Sequence, residues 1–328
     1  MNTVTKADPA SPAGSANPLA HRRPLGDRGF QLLALAAGLL VLIILVLIAV
    51  TTAQQSTSWF TTAGFKGIFS SDWDGQTHFG AMAFVYGTVI SSVIAIIIAF
   101  PVSVGIALLL TEVLPRRWAR PFTYVIDLLA VVPSVVWGLW GIIVLVPWLQ
   151  KIYLHIASGV KGIPVLDTLF GGQNVQGASF FTAGLILAIM ITPIITSLSR
   201  EVIATVPAID KEGAYALGAT RWEMIRGAVW PHSSGGVVGA ALVGLGRAMG
   251  ETIAVALVIG ASAEVTGHLF YPGYSIPAVI ALQFGEASGG EFRAGLIGLG
   301  LLLFAITIVV NLVARGIVER SARRMRGA

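Results

Sequence analysis

The sequence contains no cysteine, and few of its residues are charged. Without cysteine there is no disulfide scaffold, no thiolate zinc or iron–sulfur site and no cysteine nucleophile. Charged residues make up 11% of the 328 residues, whereas an average soluble domain carries roughly 25%. Hydrophobic residues make up 55%, and the mean hydropathy is +0.82. Such a chain cannot cover a water-facing surface, so the composition predicts an integral membrane protein.

Motifs for ATP binding and for hydrolysis are also missing. No Gly-x-x-x-x-Gly-Lys-Ser/Thr loop occurs, so the chain lacks the backbone cradle that holds the phosphates of ATP. No Gly-x-Ser-x-Gly turn is present to expose a nucleophilic serine. The five histidines are too scattered to form a metal-binding motif: His21, His78, His155, His232 and His268. We therefore expect neither an enzyme nor a metalloprotein.

Six apolar runs are long enough to cross the ~30 Å hydrocarbon core of a bilayer as helices. They cover residues 30–50, 84–110, 122–148, 180–198, 235–263 and 294–313. The first run exceeds the ~7–15 apolar residues of a secretory signal, so we expect it to be retained. Pro101, Pro133 and Pro193 predict kinks, which neighbouring helices would tolerate. The predicted fold is an all-α integral membrane protein with a six-helix transmembrane domain over residues 30–315.

The distribution of Lys and Arg predicts the orientation of these helices. Sixteen of the 21 basic residues fall in alternate segments, namely the two tails and the second and fourth loops. Because basic residues stay on the cytoplasmic side, both termini of this multi-pass plasma membrane protein are expected in the cytoplasm. Residues 1–29 are expected to form a disordered tail and residues 316–328 a basic tail. The outer segments 51–80 and 150–177 carry no pattern that predicts a domain.

Charged and aromatic residues at the ends of the runs are expected to serve the membrane interface. The basic residues form no stripe with aromatic residues between them, which excludes a nucleic-acid surface. Five aromatic residues fall where a belt at the lipid headgroups is expected: Trp59, Phe60, Trp118, Trp148 and Tyr153. Three acidic residues at span ends are expected to be caps or interface charges: Glu112, Asp127 and Glu264.

Residues 199–232 form the most polar internal segment, and their pattern predicts two short helices. Pro207 is typical of a helix start, and Gly218 of a helix end. Thr220, with Glu223 three residues later, predicts a capping box at the start of the second helix. Such short helices bury little by themselves. They need another surface, either that of a partner protein or the lipid interface.

Two charged residues lie within the fifth run. Arg247 is twelve residues beyond Gly235, or ~18 Å along a helix, which predicts a place near the middle of the bilayer. Glu251 would lie one turn further on the same face. Burying either charge against lipid costs several kcal/mol, so both are expected to face a protein interior or an aqueous path. A guanidinium there is a candidate anion site, because its planar fork matches carboxylate or phosphate. A purely structural salt bridge between the two residues is the alternative.

Small residues spaced four apart line the same run and predict close packing against another helix. The pairs are Gly235 with Gly239, Ala240 with Gly244, and Gly246 with Gly250. A helix of this kind suits a position at the edge of a pathway.

The 199–232 loop resembles the cytoplasmic loop of ABC importer permeases that carries a Glu-Ala-Ala motif. Glu212, Gly213, Ala214, Gly218 and Pro231 fall at the spacing of that motif, with Gly213 in the place of its first alanine. In that family the loop forms coupling helices that sit in a cleft of the ATPase subunit. The resemblance therefore implies that these five residues couple this chain to an ATPase.

Two further segments are similar to the phosphate-specific branch of those permeases. Residues 132–141 read Val-Pro-Ser-Val-Val-Trp-Gly-Leu-Trp-Gly, and residues 247–252 read Arg-Ala-Met-Gly-Glu-Thr. Within that branch, the sequence most resembles the PstC family of subunits. The resemblance implies that Arg247 and Glu251 line the substrate path, with Gly246 and Gly250 as helix-packing positions.

The resemblance also implies an assembly. The chain would be one permease subunit of an ATP-driven importer of inorganic phosphate, and a homologous subunit, PstA, would complete the path. Two ATPase subunits, PstB, would use the ATP, and an extracytoplasmic phosphate-binding protein would deliver the substrate. A permease for another oxyanion, such as sulfate or molybdate, and a membrane scaffold without transport are the alternative functions.

Overall fold

The computed structural model describes residues 25–73, 78–287 and 290–326, and most of these residues are helical. The α-helices are α1 (Leu25–Gln55), α2 (Thr57–Phe69), α3 (Met82–Leu108), α4 (Arg116–Val131), α5 (Ser134–Trp140), α6 (Val146–Val160), α7 (Pro164–Phe170), α8 (Phe180–Ala204), α9 (Ala208–Ala216), α10 (Arg221–Met224), α11 (Trp230–Gly250), α12 (Ile253–Val258), α13 (Ile276–Gln283) and α14 (Gly290–Arg326). Three π-helical turns accompany them: π1 (Leu109–Val113), π2 (Gly141–Leu145) and π3 (Ile225–Val229).

Helix α1 up to Thr51 belongs to a first compact unit, and its last turn and the residues that follow belong to a second unit. Most of the predicted disordered tail, residues 1–24, lies outside the described residues. Its last five residues differ from the prediction, because α1 already begins at Leu25. No proline lies between Leu25 and the apolar run to delay the start of the helix.

The second unit is organised around close contacts between α3, α8 and α11. Helices α3 and α8 share the most extensive contact, and α11 packs against both of them. Small residues allow this approach. A Cβ atom on Gly184 of α8 would lie 2.5 Å from the side chain of Ile94 in α3, and one on Gly244 of α11 would lie 2.6 Å from Ile195 in α8. Helices packed through glycines are typical of membrane proteins.

Five stretches of the described residues are long and apolar enough to cross a membrane. They are Gly29–Gln55, Met82–Val113, Ser134–Val160, Phe180–Ala204 and Gly290–Gly316. Helix α11 has 21 residues, the length of a span, but six glycines and Arg247 lower its hydropathy. The predicted all-α membrane fold is confirmed for the described residues, whereas a sixth crossing, which α11 would supply, stays a prediction.

The third span differs from its predicted bounds of 122–148. Helix α4 ends at Val131, and Val132 and Pro133 are extended with ψ angles of 126° and 139°. Proline removes a backbone donor and disfavours the helical conformation of the residue before it. The long helical stretch therefore begins only at Ser134 and continues to Val160. Pro101 and Pro193, by contrast, lie inside the continuous helices α3 and α8.

Both outer segments, for which no domain was predicted, contain helices. Helix α2 occupies part of segment 51–80, and α6 and α7 occupy much of segment 150–177. Trp59 of α2 is 1% exposed, and its indole N–H donates to the carbonyl of Phe79 at 3.1 Å. Tyr153 of α6 is equally buried. The expected place of these two residues in an aromatic belt was therefore wrong, because each fills a position in the protein interior.

A second, smaller hydrophobic core lies where the 199–232 loop meets the ends of α3 and α8. We call it the loop core, and its buried members are Val104, Ala107, Ile203, Val206, Met224, Ile225, Val229 and Val237. Ala214 of α9 and Trp230 of α11 pack against it. The loop is thus attached to the helices that cross the membrane through its own buried contacts.

Candidate functional site

Arg247 lies in the last turn of α11, close to half-way along the adjacent span. Gly244, three residues earlier, contacts Ile195 and Ile191, which are central residues of α8. Arg247 therefore lies about one turn beyond the midpoint of α8. The place near the middle of the bilayer that the sequence predicted stays a prediction.

The guanidinium of Arg247 has no partner among the described residues. Its side chain is exposed on the surface of the second unit, and the hydrogen bonds and ion pairs of the described ranges do not include it. Its position near the carboxyl end of α11 is favourable, because the last carbonyl groups of a helix attract a cation. The arginine is thus a positive charge whose hydrogen-bonding capacity is unused by the residues that the structure describes.

Glu251 does not share a helix face with Arg247, contrary to the prediction. Helix α11 ends at Gly250, and Glu251 is extended with a ψ angle of 129°. Its carboxylate instead accepts the N–H of Ala254 at 3.4 Å, at the start of α12. The predicted fifth span, 235–263, is therefore two helices joined by Glu251 and Thr252. The alternative of a structural salt bridge between Arg247 and Glu251 is wrong for the same reason.

The glycines of α11 form two faces with different surroundings. On one face, the side chains of Val202 and Ile195 of α8 occupy the space where the Cβ atoms of Gly236 and Gly244 would lie. A Cβ atom on any glycine of the other face would have no neighbour within 4 Å: Gly235, Gly239, Gly246 and Gly250. We call these four residues the open glycine face. Of the predicted pairs, Ala240 with Gly244 packs inside the chain, whereas both all-glycine pairs belong to the open face.

A groove between α11 and α14 runs along the open glycine face. It encloses about 470 Å³, and Gly235, Gly239 and Gly246 form one wall. Asn311 and Arg315 of α14 form part of the other wall. Sequence reasoning did not assign these two residues to a site. The available signal was Asn311, a polar amide within an apolar run.

The 199–232 loop has the local structure that the sequence predicted. Helix α9 begins after Pro207, and Gly218 ends it with a φ angle of +82°, a conformation that favours glycine. Thr220 and Glu223 form the predicted capping box at the start of α10. Pro231 occupies the first turn of α11, directly after π3.

The loop exposes large apolar side chains as well as its motif. Leu217 is 91% exposed, and Ile209 and Trp222 are also largely exposed. Glu212 and Gly213 lie on the surface, whereas Ala214 packs on the loop core. A Cβ atom on Gly213 would have no neighbour within 4 Å, so the surface at this position is open with either glycine or alanine. Apolar groups clustered on a polar segment indicate a surface that another molecule covers.

The capping box also changes the acidity of Glu223. The backbone N–H of Thr220 donates to the Glu223 carboxylate at 2.8 Å, and the Thr220 hydroxyl donates at 2.7 Å. These two hydrogen bonds, the backbone one first, hold the pKa of Glu223 below its ordinary value. Glu223 is therefore a carboxylate that caps the loop helix at neutral pH.

Two acidic residues that were expected to be caps or interface charges instead form ion pairs between elements. Glu112 of π1 contacts Lys211 of α9 at 2.6 Å, and Asp127 of α4 contacts Arg200 of α8 at 3.5 Å. No local sequence signal identifies the first pair, whose members are 99 positions apart. Over the described ranges, no group of three His, Asp or Glu side chains could hold a metal ion.

The arrangement of helices occurs in solved membrane transporters. A chain in the crystal structure of a bacterial alginate ABC transporter, in complex with alginate pentasaccharide-bound periplasmic protein, has a TM-score of 0.60 and 16% identity. The alignment covers 90% of this chain and 96% of that one. A second crystal structure of a bacterial ABC transporter, involved in the import of alginate, has a TM-score of 0.58. The chain thus has the fold of the membrane subunit of an ABC transporter.

Comparison of sequences defines the family more narrowly. The model of the binding-protein-dependent transport system inner membrane component family matches residues 100–327. The phosphate transport system permease protein PstC of Mesorhizobium japonicum is 42% identical over 98% of each chain. That of Pasteurella multocida is 43% identical over 87% of this chain and 89% of its own. The chain belongs to this family of inner membrane components and, within it, to the PstC permeases.

Proposed function

We propose that this chain is one of two membrane subunits of an ATP-driven importer of inorganic phosphate. The observation that carries the proposal is Arg247, a cation in the last turn of α11 that has no partner among the described residues. A charge at this depth is costly against lipid, so it is expected to face cargo or water. The relatives named phosphate permeases support phosphate as the anion.

The chemistry of Arg247 suits a passing oxyanion. The guanidinium is planar, and its fork can donate two parallel hydrogen bonds to phosphate oxygens. Phosphate could bind without displacing an internal partner, because the described residues offer none. A single arginine also gives an affinity suited to a transport path, since an ion must be able to leave its site as well as enter it.

The other wall of the path would come from the homologous subunit, PstA. The open glycine face lets a second helix approach the backbone of α11 closely, next to Arg247. The α11–α14 groove offers further room for a side chain of that subunit, bordered by Asn311 and Arg315. Enclosure by a second chain would remove Arg247 from lipid.

ATP would be used by two PstB subunits bound to the 199–232 loop. The exposed apolar side chains of this loop support a protein partner rather than solvent, and the sequence carries no ATP-binding motif. The distribution of basic residues supports cytoplasmic positions for the loop and both termini. An extracytoplasmic phosphate-binding protein would then dock at the opposite end.

In this mechanism, phosphate released by the binding protein enters from outside and pairs with Arg247. ATP binding closes the PstB dimer and displaces the loop helices that contain Glu212 and Gly218. Because the loop is attached to α3, α8 and α11 through the loop core, its displacement moves these helices. The path then opens towards the cytoplasm. Glu251 keeps α12 capped during this change and does not compete for Arg247.

The test is uptake of radiolabelled phosphate by the complete complex in proteoliposomes, with binding protein and ATP supplied. Arg247→Ala should lower uptake about 10- to 150-fold, the range for loss of hydrogen bonds to a charged group. Arg247→Lys should retain part of the activity. The control is Arg116→Ala, which removes an exposed arginine of α4 and should transport normally. Uptake by Arg247→Ala within twofold of the unmodified complex would disprove the role of this residue.

The same preparation separates the alternative functions. Inhibition of uptake by unlabelled phosphate, but not by sulfate or molybdate, would support phosphate as the substrate. Transport of sulfate or molybdate in place of phosphate, with the same dependence on Arg247, would indicate a permease for another oxyanion. Failure of any ATPase subunit to copurify would favour the scaffold instead.

A further inference from the structure

The end of α3 is structurally distinct at the point where the 199–232 loop meets it. The helix changes there to the turn π1, in which the N–H of Leu114 bonds to the carbonyl of Leu109. A π turn adds one residue to the helical turn and so rotates the following side chains by ~100°. Turns of this kind occur often at functional sites. Glu112 lies within π1.

Glu112 is nearly buried and paired with the loop. Its side chain is 7% exposed, and its carboxylate contacts the ammonium group of Lys211 in α9 at 2.6 Å. The Lys211 side chain is itself only 21% exposed. A carboxylate this far from water is stable only when it is paired, because desolvation penalises an isolated charge. The Glu112–Lys211 ion pair is therefore a fixed internal contact rather than a mobile pair on the surface.

Helix α9 depends on this contact because it has few others. None of its residues is fully buried, and Ala214 is its contribution to the loop core. Lys211 extends back to α3, whereas the adjacent Glu212 of the coupling motif is exposed. One turn of α9 thus carries both the attachment to the crossing helices and the surface proposed to meet the ATPase.

The second loop helix also approaches π1. The guanidinium of Arg221 in α10 lies 3.5 Å from the carbonyl oxygen of Val113, a long hydrogen bond. Both loop helices therefore approach the same turn at the end of α3. From there α3 packs along α8 and contacts α11, which carries Arg247. A continuous series of packed elements joins α9 to Arg247.

We propose that Glu112 is a positioning residue which, through Lys211, fixes α9 to the end of α3 and so converts displacement of α9 into movement of the crossing helices. The inference rests on the proposed function, since it assigns the route by which ATP hydrolysis drives transport. Loss of the pair would leave α9 bound to the ATPase but free to move without α3. ATP would then be hydrolysed with less phosphate carried.

The experiment measures phosphate transported per ATP hydrolysed by the complete complex in proteoliposomes. Glu112→Gln and Lys211→Gln should each lower this ratio at least about fivefold, the lower end of coupling between distant sites. The double variant Glu112→Lys with Lys211→Glu restores opposite charges and should recover the ratio to within about twofold of the unmodified complex. Asp127→Asn is the matched control, because it breaks another ion pair between elements and should leave the ratio unchanged.

The outcomes decide between coupling and mere structural support. Unchanged ratios in assembled single variants would overturn the proposal, and so would an assembled charge swap no better coupled than they are. If the single variants fail to assemble, Glu112→Asp decides, because it keeps the charge and shortens the side chain. A normal ratio in that variant would also overturn the proposal, whereas a lowered ratio with normal assembly would support it. Failure of the unmodified complex to transport phosphate would count against the proposed function, and the ratio would then be measured with the anion that it does transport.

Discussion

Two mid-helix glycines of α11 allow its packing against α8 to be measured directly. Gly244 faces α8, where an added Cβ atom would lie 2.6 Å from Cδ1 and Cγ1 of Ile195. Gly239 lies on the open glycine face, where an added Cβ atom would have no neighbour within 4 Å. Both positions are helical, so replacement by alanine gives each the same gain in helix propensity, about 1 kcal/mol. The difference between the two variants therefore isolates packing.

The expected difference follows from the fit around Ile195. Ordinary contact begins at 3.4 Å, and the Ile195 side chain is completely buried, so it has no free space into which to retreat. Overpacking of this kind costs about 1–3 kcal/mol. We expect Gly244→Ala to have a free energy of unfolding lower than that of Gly239→Ala by this amount. Gly239→Ala itself should equal or exceed the unmodified chain.

The assay is thermal unfolding of the purified full-length chain in detergent, followed by loss of the monodisperse peak. For a chain of this size, a difference of 1 kcal/mol corresponds to about 1.5 °C in Tm, and a difference of 3 kcal/mol to about 4 °C. Equal Tm values for Gly244→Ala and Gly239→Ala would refute the close approach of α11 to α8. Assembly with the second permease subunit should instead be sensitive to substitutions on the open glycine face. Gly246→Ala, on the open face, should lower copurification of the second permease subunit although it leaves the isolated chain stable.

Two further predictions concern the 199–232 loop. Leu217→Ser should weaken binding of the ATPase about 10- to 150-fold, the effect of losing one buried leucine, while the stability of the isolated chain changes by less than about 0.5 kcal/mol. Val165→Ser, at an exposed valine of α7, is the control for copurification. Because the pKa of Glu223 is lowered on folding, its cap should be fully present above its ordinary value of 4.5 and be lost as the pH falls through the lower folded value. Hydrogen-exchange protection of the Thr220 amide should follow this pH dependence. In Glu223→Gln the pH dependence of the protection should be absent, and its persistence there would contradict the assignment.

Local sequence signals predicted the elements whose causes are local. Length and hydropathy identified the crossing helices, and Pro207, Gly218 and the Thr220–Glu223 box identified the loop helices, since each acts within one turn. Pro133 shows the limit of such signals. It ends a helix, whereas Pro193 lies within one, because the packing around each proline and not the proline alone decides the outcome.

The parts of the site that sequence reasoning missed depend on contacts between distant segments. A spacing of four predicts a shared face for Arg247 and Glu251 only if the helix continues, and the end of α11 at Gly250 removes that condition. The pairing of Glu112 with Lys211 arises from the packing of α3 beside the loop. Burial of Trp59 likewise follows from a contact with Gly298 of α14, more than two hundred positions away.

The break at Glu251 and Thr252 divides the predicted fifth span into two separate helices, α11 and α12. After the break, Ala254 of α12 packs closely on Gly138 of α5, and Val258 packs on Gly141 of π2. On the near side, α11 is attached to the loop core. Since α11 ends at Gly250 and α12 begins at Ile253, the helix does not continue between these anchors, and a tilt of α11 need not be followed by α12. If the proposed substrate path follows this segment, its two ends would be able to change width at different times, which a single rigid helix would not permit.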